Sequence, residues 1–293
     1  MQKKLLKRLS CYKTSLSRVF DIFKEAIFPK KCLVCGSFFH SPQYDCSDLP
    51  KKNLIEISSL KVQGQHIFEI LMASFLCPVC SAAFLPVNSP YCSVCGNMFK
   101  SREGKNHVCG DCLTSPKMFR KARAAGIYDL AFKSVIHCFK YRGKTQLARP
   151  LGTLLFNAFV ESWDKNSIDI ILPVPLHIKK LRKRGFNQAY LLVKDWTNTA
   201  DDLDDEQPCI DMDRHVLVRS RWTKPQTGLG RKKRIANIKN AFCVTNIPKV
   251  RGKKILIVDD VYTTGTTVNE CAKTLMDSGA VHVDVLTLAR TLL

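Results

Sequence analysis

The chain has 293 residues, and its 46 Lys and Arg against 25 Asp and Glu give a formal net charge of +21. This length allows one α/β domain of about 150 residues and a smaller unit, and the positive charge favours a polyanionic partner such as nucleic acid or an anionic membrane surface. No apolar run is long enough for a transmembrane segment, and the N-terminus lacks the pattern of a secretory signal, so we expect a soluble, cytoplasmic protein.

Residues 1–30 are predicted to form a basic amphipathic helix. Four basic residues come first, followed by apolar residues at helical spacing: Lys3, Lys4, Lys7 and Arg8, then Val19, Phe20, Ile22, Phe23, Ala26 and Ile27. We expect this helix to pack against the folded body, and contact with a membrane surface is the alternative.

Cysteines dominate residues 31–117, which we predict to be a zinc module. Eight of the 14 cysteines form four Cys-x-x-Cys pairs: Cys32/Cys35, Cys77/Cys80, Cys92/Cys95 and Cys109/Cys112. Such pairs are typical of thiolates that hold Zn²⁺ in a reducing compartment, whereas free buried thiols are the alternative. The predicted sites, one or two, are structural, because an all-cysteine coordination sphere leaves no position for a catalytic water.

The spacing assigns the second zinc site more firmly than the first. Thirteen residues separate Cys95 from Cys109, as in zinc ribbons, and Gly96 suits the turn of a zinc knuckle. The first site pairs Cys32/Cys35 with Cys77/Cys80 across 41 residues, in which we expect a short buried helix from Ile67 to Phe75. Two alternatives remain open for the first site: Cys46 replaces one of its four ligands, or its cysteine pairs combine with the later pairs in a crossed arrangement.

The next predicted element is a strand at Arg123–Tyr128. A helical stretch follows from Leu130 to Val160, and we expect interruptions at Lys140–Lys144 and at Pro150. Lys140 and Arg142 flank Tyr141 at the end of the first helical segment. Such a cluster suits an anion, although an ordinary solvated C-terminal turn explains it as well.

The following strand, Ile168–Pro175, ends in two prolines and leads into a basic run, Lys179–Arg184, in which five of six residues are Lys or Arg. A proline-fixed loop that ends in Arg182 and Arg184 suits a pyrophosphate, because guanidinium groups fork to two oxygens. A solvated basic face is the alternative.

Three further strands, an acidic surface loop and a mobile lid complete the predicted elements. The loop is 201–206, the strands are His215–Arg219, Ala241–Val244 and Val281–Leu288, and the lid runs from Arg221 to Arg234. A polar lid with glycines and basic residues is suited to close over an anionic ligand.

The most informative stretch is Ile255–Thr267. It comprises a buried strand to Val258, two acids, a Thr/Gly-rich turn, and a helix that begins at Thr266 and ends near Gly279. Backbone N–H groups at a helix N-terminus favour a phosphate, and paired acids suit sugar hydroxyls, directly or through Mg²⁺. The predicted ribose 5-phosphate site has Asp259 and Asp260 as its acids, and Thr263, Thr264, Gly265, Thr266 and Thr267 around the phosphate. An ordinary βα unit with a threonine N-cap is the alternative.

These thirteen residues resemble the phosphoribosyl pyrophosphate (PRPP) motif of type I phosphoribosyltransferases. The resemblance implies that Asp259 and Asp260 contact the ribose of PRPP, that Thr263–Thr267 hold its 5-phosphate, and that Mg²⁺ accompanies it. The basic residues assigned to its pyrophosphate are Arg182, Arg184, Lys140 and Arg142.

Further motifs extend the resemblance to most of the chain. The chain is similar to the ComF family in four further features. These are Leu172–His177, Arg182–Gln188, the Thr-x-Pro-Gln-x-Gly-Leu segment of the lid, and the cysteine pairs. That family joins zinc ribbons to a type I phosphoribosyltransferase domain, which implies an α/β fold with a Rossmann-like parallel sheet in residues 118–293 and a role in DNA uptake during natural transformation. Residues Ser37–Phe75 depart from the family pattern because they are longer.

Three functions are compatible with these features. A transferase would release pyrophosphate from PRPP as a nitrogen nucleophile attacks the ribose, although no base for an acceptor is identifiable. A binding protein would instead handle single-stranded DNA, with Tyr141, Phe186 or Trp222 stacking on bases. A scaffold would dock a helicase of the competence machinery.

Overall fold

The computed structural model describes residues 28–40, 64–101, 103–164, 166–196, 211–223 and 236–292. The predicted N-terminal helix, Cys46, the acidic loop 201–206 and most of the predicted lid lie outside these residues. Within the described ranges, no helix combines the length and apolarity needed to cross a bilayer.

Nine strands and eight α-helices are described. The strands are β1 (Lys30–Lys31), β2 (Phe38–Phe39), β3 (Ala122–Ile127), β4 (Ile170–Pro173), β5 (Asp211–Met212), β6 (Leu217–Arg219), β7 (Phe242–Val244), β8 (Lys254–Tyr262) and β9 (His282–Arg290). The helices are α1 (Gly64–Met72), α2 (Pro78–Ala82), α3 (Gly110–Thr114), α4 (Leu130–Tyr141), α5 (Ala148–Ser162), α6 (Ile178–Arg184), α7 (Gln188–Val193) and α8 (Thr266–Asp277).

The main sheet has five parallel strands in the order β3-β9-β8-β4-β5, which confirms the predicted α/β class. β4 and β8 are neighbours in the sheet. The strand that follows β4 in sequence, β5, is added beyond β4 at one edge, whereas the strand that follows β8, β9, is added on the opposite side of β8. The order therefore reverses between β4 and β8, and a crevice opens there outside the carboxyl ends of the two strands. In open parallel sheets, ligands bind at such a switch point.

Side chains of β8 alternate between the two faces of the sheet, and each face has its own core. Leu256 and Val258 pack with α4, α5 and α7, whereas Ile255 and Ile257 pack with α8, β6 and β7. This alternation is the period-2 pattern of a strand buried on both faces.

The two groups of cysteines contribute to opposite faces of this sheet. Cys32 belongs to the core that contains α4 and α5, whereas Cys92, Cys95 and Cys112 belong to the core that contains α8. Aromatic contacts join α1 to α4: Phe68 meets Phe132 edge to face, with ring centroids 5.5 Å apart, and it stacks on Phe84 at 4.1 Å. The described cysteine-bearing segments, 31–40, 64–101 and 103–117, are therefore packed into both layers of the α/β unit.

Two details differ from the sequence-based expectation. Strand β8 continues to Tyr262 rather than ending at Val258, because β9 pairs with it as far as Tyr262↔Arg290, while β4 stops at Pro173 opposite Val258. Pro150 does not interrupt a helix: it lies in the first turn of α5, where its missing N–H has no intrahelical acceptor. Only the break around residues 142–147, which includes a 3₁₀ turn at Thr145–Leu147, separates α4 from α5.

Candidate functional site

The two predicted acids lie where β8 extends beyond β4, at the switch point of the sheet. Asp259 continues the row of Ile255 and Ile257, and Asp260 continues the row of Leu256 and Val258. The carboxylates are consecutive in sequence but extend towards opposite faces of the sheet. The backbone N–H of Asp260 donates to Asp259 Oδ1 (2.8 Å), which fixes the first carboxylate at the strand end.

Asp260 forms an ion pair with Lys140, which stands in the last turn of α4. The Nζ of Lys140 lies 2.7 Å from Oδ1 of Asp260, and both side chains are mostly buried. Burial alone would lower the pKa of Lys140, but Asp260, together with Asp259, raises it, so Lys140 is charged. The structure thus places Lys140 at the carboxyl end of β8, in contact with one of the two acids.

Asp259 has an unusual protonation equilibrium. Burial of its carboxyl group and the neighbouring Asp260 raise its pKa to about 7, against the opposing effect of Lys140. A carboxylic acid that is close to half protonated at neutral pH accepts a hydrogen bond when ionised and donates one when protonated, and such groups cluster at functional sites.

The turn after β8 is built around Gly265, the N-cap of α8. Its φ of +71° lies in the left-handed region, and a Cβ atom there would collide with the hydroxyl of Tyr262, whose ring is buried beneath the turn. Glycine is required on both counts. The first helical bond runs from Asn269 N to Gly265 O (2.9 Å), so the earlier N–H groups of α8 precede the intrahelical ladder.

The threonines of the predicted phosphate loop line this helix start. Thr263, Thr264, Thr266 and Thr267 are all partly exposed. The hydroxyls of Thr264 and Thr266 lie 2.8 Å apart, and Thr291 Oγ1 donates to Thr263 O (3.2 Å). The structure therefore brings the five predicted loop residues together with the two acids at the end of one strand.

Two cations that the sequence did not single out share the site. Lys180 on α6 and Arg219 at the end of β6 are partly buried. Burial lowers the pKa of Lys180, as do the charges of Arg184 and Arg219, while Asp260 opposes them. Burial lowers the pKa of Arg219, and the charge of Asp259 opposes this effect, so Arg219 lies within electrostatic range of the acids. We call Lys140, Lys180, Arg184 and Arg219 the basic cluster.

The basic cluster gives the crevice an excess of positive charge. Four cations face two acids, and among the ion pairs of the described residues only Lys140 has a carboxylate partner within the cluster. Like charges held together out of water are unfavourable unless an anion joins them. The sequence did contain a signal for Lys180. Residues 180 and 184 are four apart, so in a helix they lie on the same side, and Lys180 accompanies Arg184 into the site.

The structure does not bring the other two predicted cations into this cluster. Arg182 is exposed and lies about 200° around α6 from Lys180, at about 100° per residue. Arg142 is the exposed C-cap of α4. The predicted lid is described only from Arg221 to Thr223, where Arg221 donates to the carbonyls of Asn237 (2.9 Å) and Lys239 (2.6 Å).

Eight cysteines form two clusters that fit metal ions. The sulfurs of Cys32, Cys35, Cys77 and Cys80 lie within 4.8 Å of one another, as do those of Cys92, Cys95, Cys109 and Cys112. The crossed pairing is therefore not the arrangement found. Sulfur pairs at 3.7 Å (Cys35–Cys77) and 3.8 Å (Cys95–Cys109) match the separation of about 3.8 Å required around a tetrahedral Zn²⁺ with Zn–S bonds of about 2.3 Å.

Backbone donors favour the thiolate of Cys92 in the second cluster. The N–H groups of Cys95 and Cys109 donate to the Cys92 sulfur at 3.4 and 3.3 Å. Burial raises the pKa of the Cys92 thiol, but these bonds outweigh it and lower that pKa to about 6. The donor set and its geometry suit structural zinc.

The part of the chain that the structure describes offers Mg²⁺ no comparable set of protein ligands. Among the described residues, groups of three or more metal-ligating side chains are formed by the cysteines alone. Asp259 and Asp260 could supply oxygen ligands, but a ligand such as a diphosphate would have to complete the octahedral shell that Mg²⁺ requires.

Comparisons with known proteins agree with this geometry. Residues 212–291 match the family model described as "Phosphoribosyl transferase domain". "DNA utilization protein YhgH" of Escherichia coli K12 is 32% identical over 224 residues, which cover 74% of this chain and 91% of that protein. "Competence protein F" of Haemophilus influenzae is 31% identical over 217 residues, covering 72% and 90%. "Competence protein ComFC" of Bacillus subtilis is 25% identical over 242 residues, covering 80% and 91%.

The family match spans β5 to β9 and includes the acids, the threonine loop and α8, so the parallel sheet is a phosphoribosyltransferase fold. The relatives extend that similarity over nine tenths of their own lengths. This chain belongs to the ComF family.

Proposed function

We propose that this protein binds PRPP as its magnesium complex in the crevice at the carboxyl end of β8. The observation that carries the proposal is the juxtaposition of Asp259 and Asp260 with the Gly265 turn at the start of α8, at the point where the strand order reverses. Acids for a ribose and N–H groups for a phosphate stand within a few residues of each other.

Each part of PRPP has a counterpart in the crevice. Thr263–Thr267 would hold the 5-phosphate with hydroxyls and helix N–H groups, and Asp259 and Asp260 would accept hydrogen bonds from the ribose hydroxyls. Lys180, Arg184 and Arg219 would face the diphosphate. When bound, Mg²⁺ would neutralise part of the diphosphate charge, using its oxygens as ligands.

The same arrangement supports a transfer reaction. Pyrophosphate leaves as the C1–O bond of the ribose breaks, and a nitrogen nucleophile forms the new bond to C1. Lys180, Arg184 and Arg219 stabilise the charge that develops on pyrophosphate as it leaves. Arg182 and Arg142 keep a lesser role as exposed cations at the rim.

Calorimetric titration with Mg·PRPP tests the site. Asp259→Asn with Asp260→Asn should abolish the binding heat while far-ultraviolet circular dichroism stays unchanged. Asp277→Asn is the matched control, because Asp277 is exposed at the far end of α8 and pairs with Lys273. Full affinity in the double variant would contradict the assignment, and release of pyrophosphate with one nitrogen compound would identify the acceptor.

We also propose a role in the use of DNA during competence, in the cytoplasm. Support comes from the relatives named for competence and DNA utilization, from the net charge of +21, and from eight thiols arranged for zinc, which suits a reducing compartment. A helicase of the competence machinery is the protein partner that we propose on the same grounds.

A second candidate, binding of single-stranded DNA, is favoured by the surface around α6. Two exposed rings, Tyr141 and Trp222, lie beside cations of this helix: the Arg184 guanidinium is 5.0 Å from the Tyr141 centroid, and Lys179 Nζ is 6.0 Å from that of Trp222. None of the five basic residues of α6 has an ion-pair partner among the described residues. Stacking rings that alternate with unpaired cations suit a single strand.

Binding of a fluorescent oligothymidine separates this candidate from PRPP binding. Tyr141→Ala with Trp222→Ala should weaken oligonucleotide affinity about tenfold or more, since each stacked base contributes about 1–3 kcal/mol. Phe28→Ala, at another exposed ring, should not weaken it. Lys183→Gln should flatten the salt dependence of log K by about 0.7, and unchanged affinity and slope would contradict this surface.

A further inference from the structure

Arg290 is a fully buried guanidinium that joins the second cysteine cluster to the phosphate loop. It ends β9 with 1% of its surface exposed. Its Nη1 donates to the carbonyl oxygen of Cys95, and its Nη2 donates to Asn97 Oδ1 (3.1 Å). Both acceptors belong to the knuckle that follows Cys92, so one side chain holds the backbone of a predicted zinc ligand.

The other face of the same guanidinium lies over Tyr262, 5.1 Å from the ring centroid. That ring is buried and packs directly beneath Gly265, with Cε2 only 2.9 Å from the position that a Cβ of Gly265 would take. The next residue, Thr291, donates to the carbonyls of Tyr262 (3.0 Å) and Thr263 (3.2 Å). Cys95, Arg290, Tyr262 and Gly265 therefore form a continuous chain of contacts.

No carboxylate of the described residues pairs with the charge of Arg290. Among the ion pairs formed by the described residues none includes Arg290, and its Nε has no hydrogen-bond acceptor. A buried, unpaired cation is strongly unfavourable. Four thiolates around one Zn²⁺ carry net negative charge, so metal binding in the second cluster would supply the missing counter-charge beside Cys95.

We propose that Arg290 is a positioning residue that couples zinc in the second cysteine cluster to the 5-phosphate of PRPP, so that each favours binding of the other. Loss of the metal would release the Cys95 knuckle and the guanidinium, and with them the ring that supports Gly265. This inference rests on the proposed PRPP site. Coupling between two sites is reciprocal, so bound PRPP must hold this zinc more tightly.

Zinc release to a chelating dye measures the coupling in the wild-type protein. Calorimetry first establishes that Mg·PRPP binds to the zinc-replete chain. At equilibrium with the dye, saturating Mg·PRPP should then raise the affinity of the chain for one of two zinc equivalents by about tenfold, within the usual range of allosteric coupling. The first cluster, which includes the exposed Cys35, serves as an internal control and should be unaffected.

A pair of variants assigns the coupling to Arg290. Arg290→Gln should lose the protection of zinc by PRPP and bind PRPP about tenfold more weakly, and Arg290→Lys should recover part of both. Arg123→Gln is the matched control: its guanidinium contacts the same knuckle at Ser93 O (3.1 Å) and lies over Tyr91 (4.8 Å), away from the phosphate loop. This variant should keep the protection.

The outcomes separate the two proposals. Absence of PRPP binding to the zinc-replete wild type overturns the proposed function. PRPP binding with no protection of zinc, with equal protection of both equivalents, or with protection retained in Arg290→Gln overturns the coupling alone. If Arg290→Gln does not fold, Arg290→Lys takes its place, and undiminished protection of zinc together with undiminished PRPP affinity in that variant overturns the role of Arg290.

Discussion

The Nζ of Lys140 lies 2.7 Å from Oδ1 of Asp260, so the last turn of α4 is held against the end of β8 by an ion pair inside the crevice. The sequence suggested that Lys140 binds pyrophosphate, and the structure shows its partner to be the carboxylate of Asp260. Lys140 neutralises Asp260 and leaves Lys180, Arg184 and Arg219 to an incoming anion.

Replacement of this lysine should affect both stability and binding. Lys140→Met leaves a buried carboxylate without its partner, so we expect the free energy of unfolding to fall by about 1–3 kcal/mol and PRPP affinity to decrease. Lys133→Met is the control, because Lys133 is exposed on the same helix. Urea unfolding measures the change, and equal stabilities for the two variants would refute the role of the pair.

The raised pKa of Asp259 makes stability depend on pH. Between the ordinary value of 3.8 and about 7 the folded protein binds more protons than the unfolded chain, so this group reduces stability progressively as pH rises through that window. Asp259→Asn removes the effect and should stabilise the protein above pH 7, with an upper bound of about 4 kcal/mol.

Thermal unfolding at several pH values tests the sign of this effect. The advantage of Asp259→Asn over the wild type should shrink as the pH approaches 4, where both proteins have a neutral side chain. An advantage that is constant with pH would show that Asp259 titrates normally, and one that grows towards acid would show that folding lowers its pKa; either result contradicts the prediction.

Gly265→Ala should damage the phosphate loop. Its positive φ and the collision of a Cβ with Tyr262 both oppose alanine, so we expect a loss of about 2 kcal/mol in stability and much weaker PRPP binding. Gly252→Ala is a close control, because Gly252 also has positive φ (+74°) but no atom within 4 Å of the added Cβ. Similar losses in both variants would show that Tyr262 does not shape the loop.

The two cysteine clusters should bind one Zn²⁺ each. Elemental analysis of Cys80→Ser and of Cys112→Ser should each show one equivalent fewer than the wild type, and both variants should unfold at lower temperature, because metal binding contributes to folding. Cys243→Ser is the control, since Cys243 is exposed and belongs to neither cluster. Wild-type zinc content in either cluster variant would contradict the assignment.

Local sequence was sufficient for the elements that carry the site. The apolar run before Asp259 and the glycine at 265 predict the strand, the turn and the helix, because strand burial and a left-handed turn leave clear patterns in residue type. The start of α8 at Thr266 is confirmed. The cysteine spacing likewise predicted the pairing that the structure shows.

The remaining features depend on contacts between residues distant in sequence. The extension of β8 to Tyr262 follows from its pairing with β9, and Arg219 reaches the crevice because β6 and β7 pack on the face of α8. Arg290 contacts a knuckle 195 residues earlier in the chain. Charge alone does not distinguish a buried arginine from a surface one, so the sequence did not reveal the roles of Arg219 and Arg290. The sequence likewise did not predict the extension of β8.

A crystal structure of the protein with Mg·PRPP tests the central claim most directly. We predict the 5-phosphate on the N–H groups and hydroxyls of Thr263–Thr267, the ribose hydroxyls on Asp259 and Asp260, and the diphosphate beside Lys180, Arg184 and Arg219. Density for PRPP on another surface, or an empty crevice at a PRPP concentration that saturates the calorimetric signal, would contradict the claim.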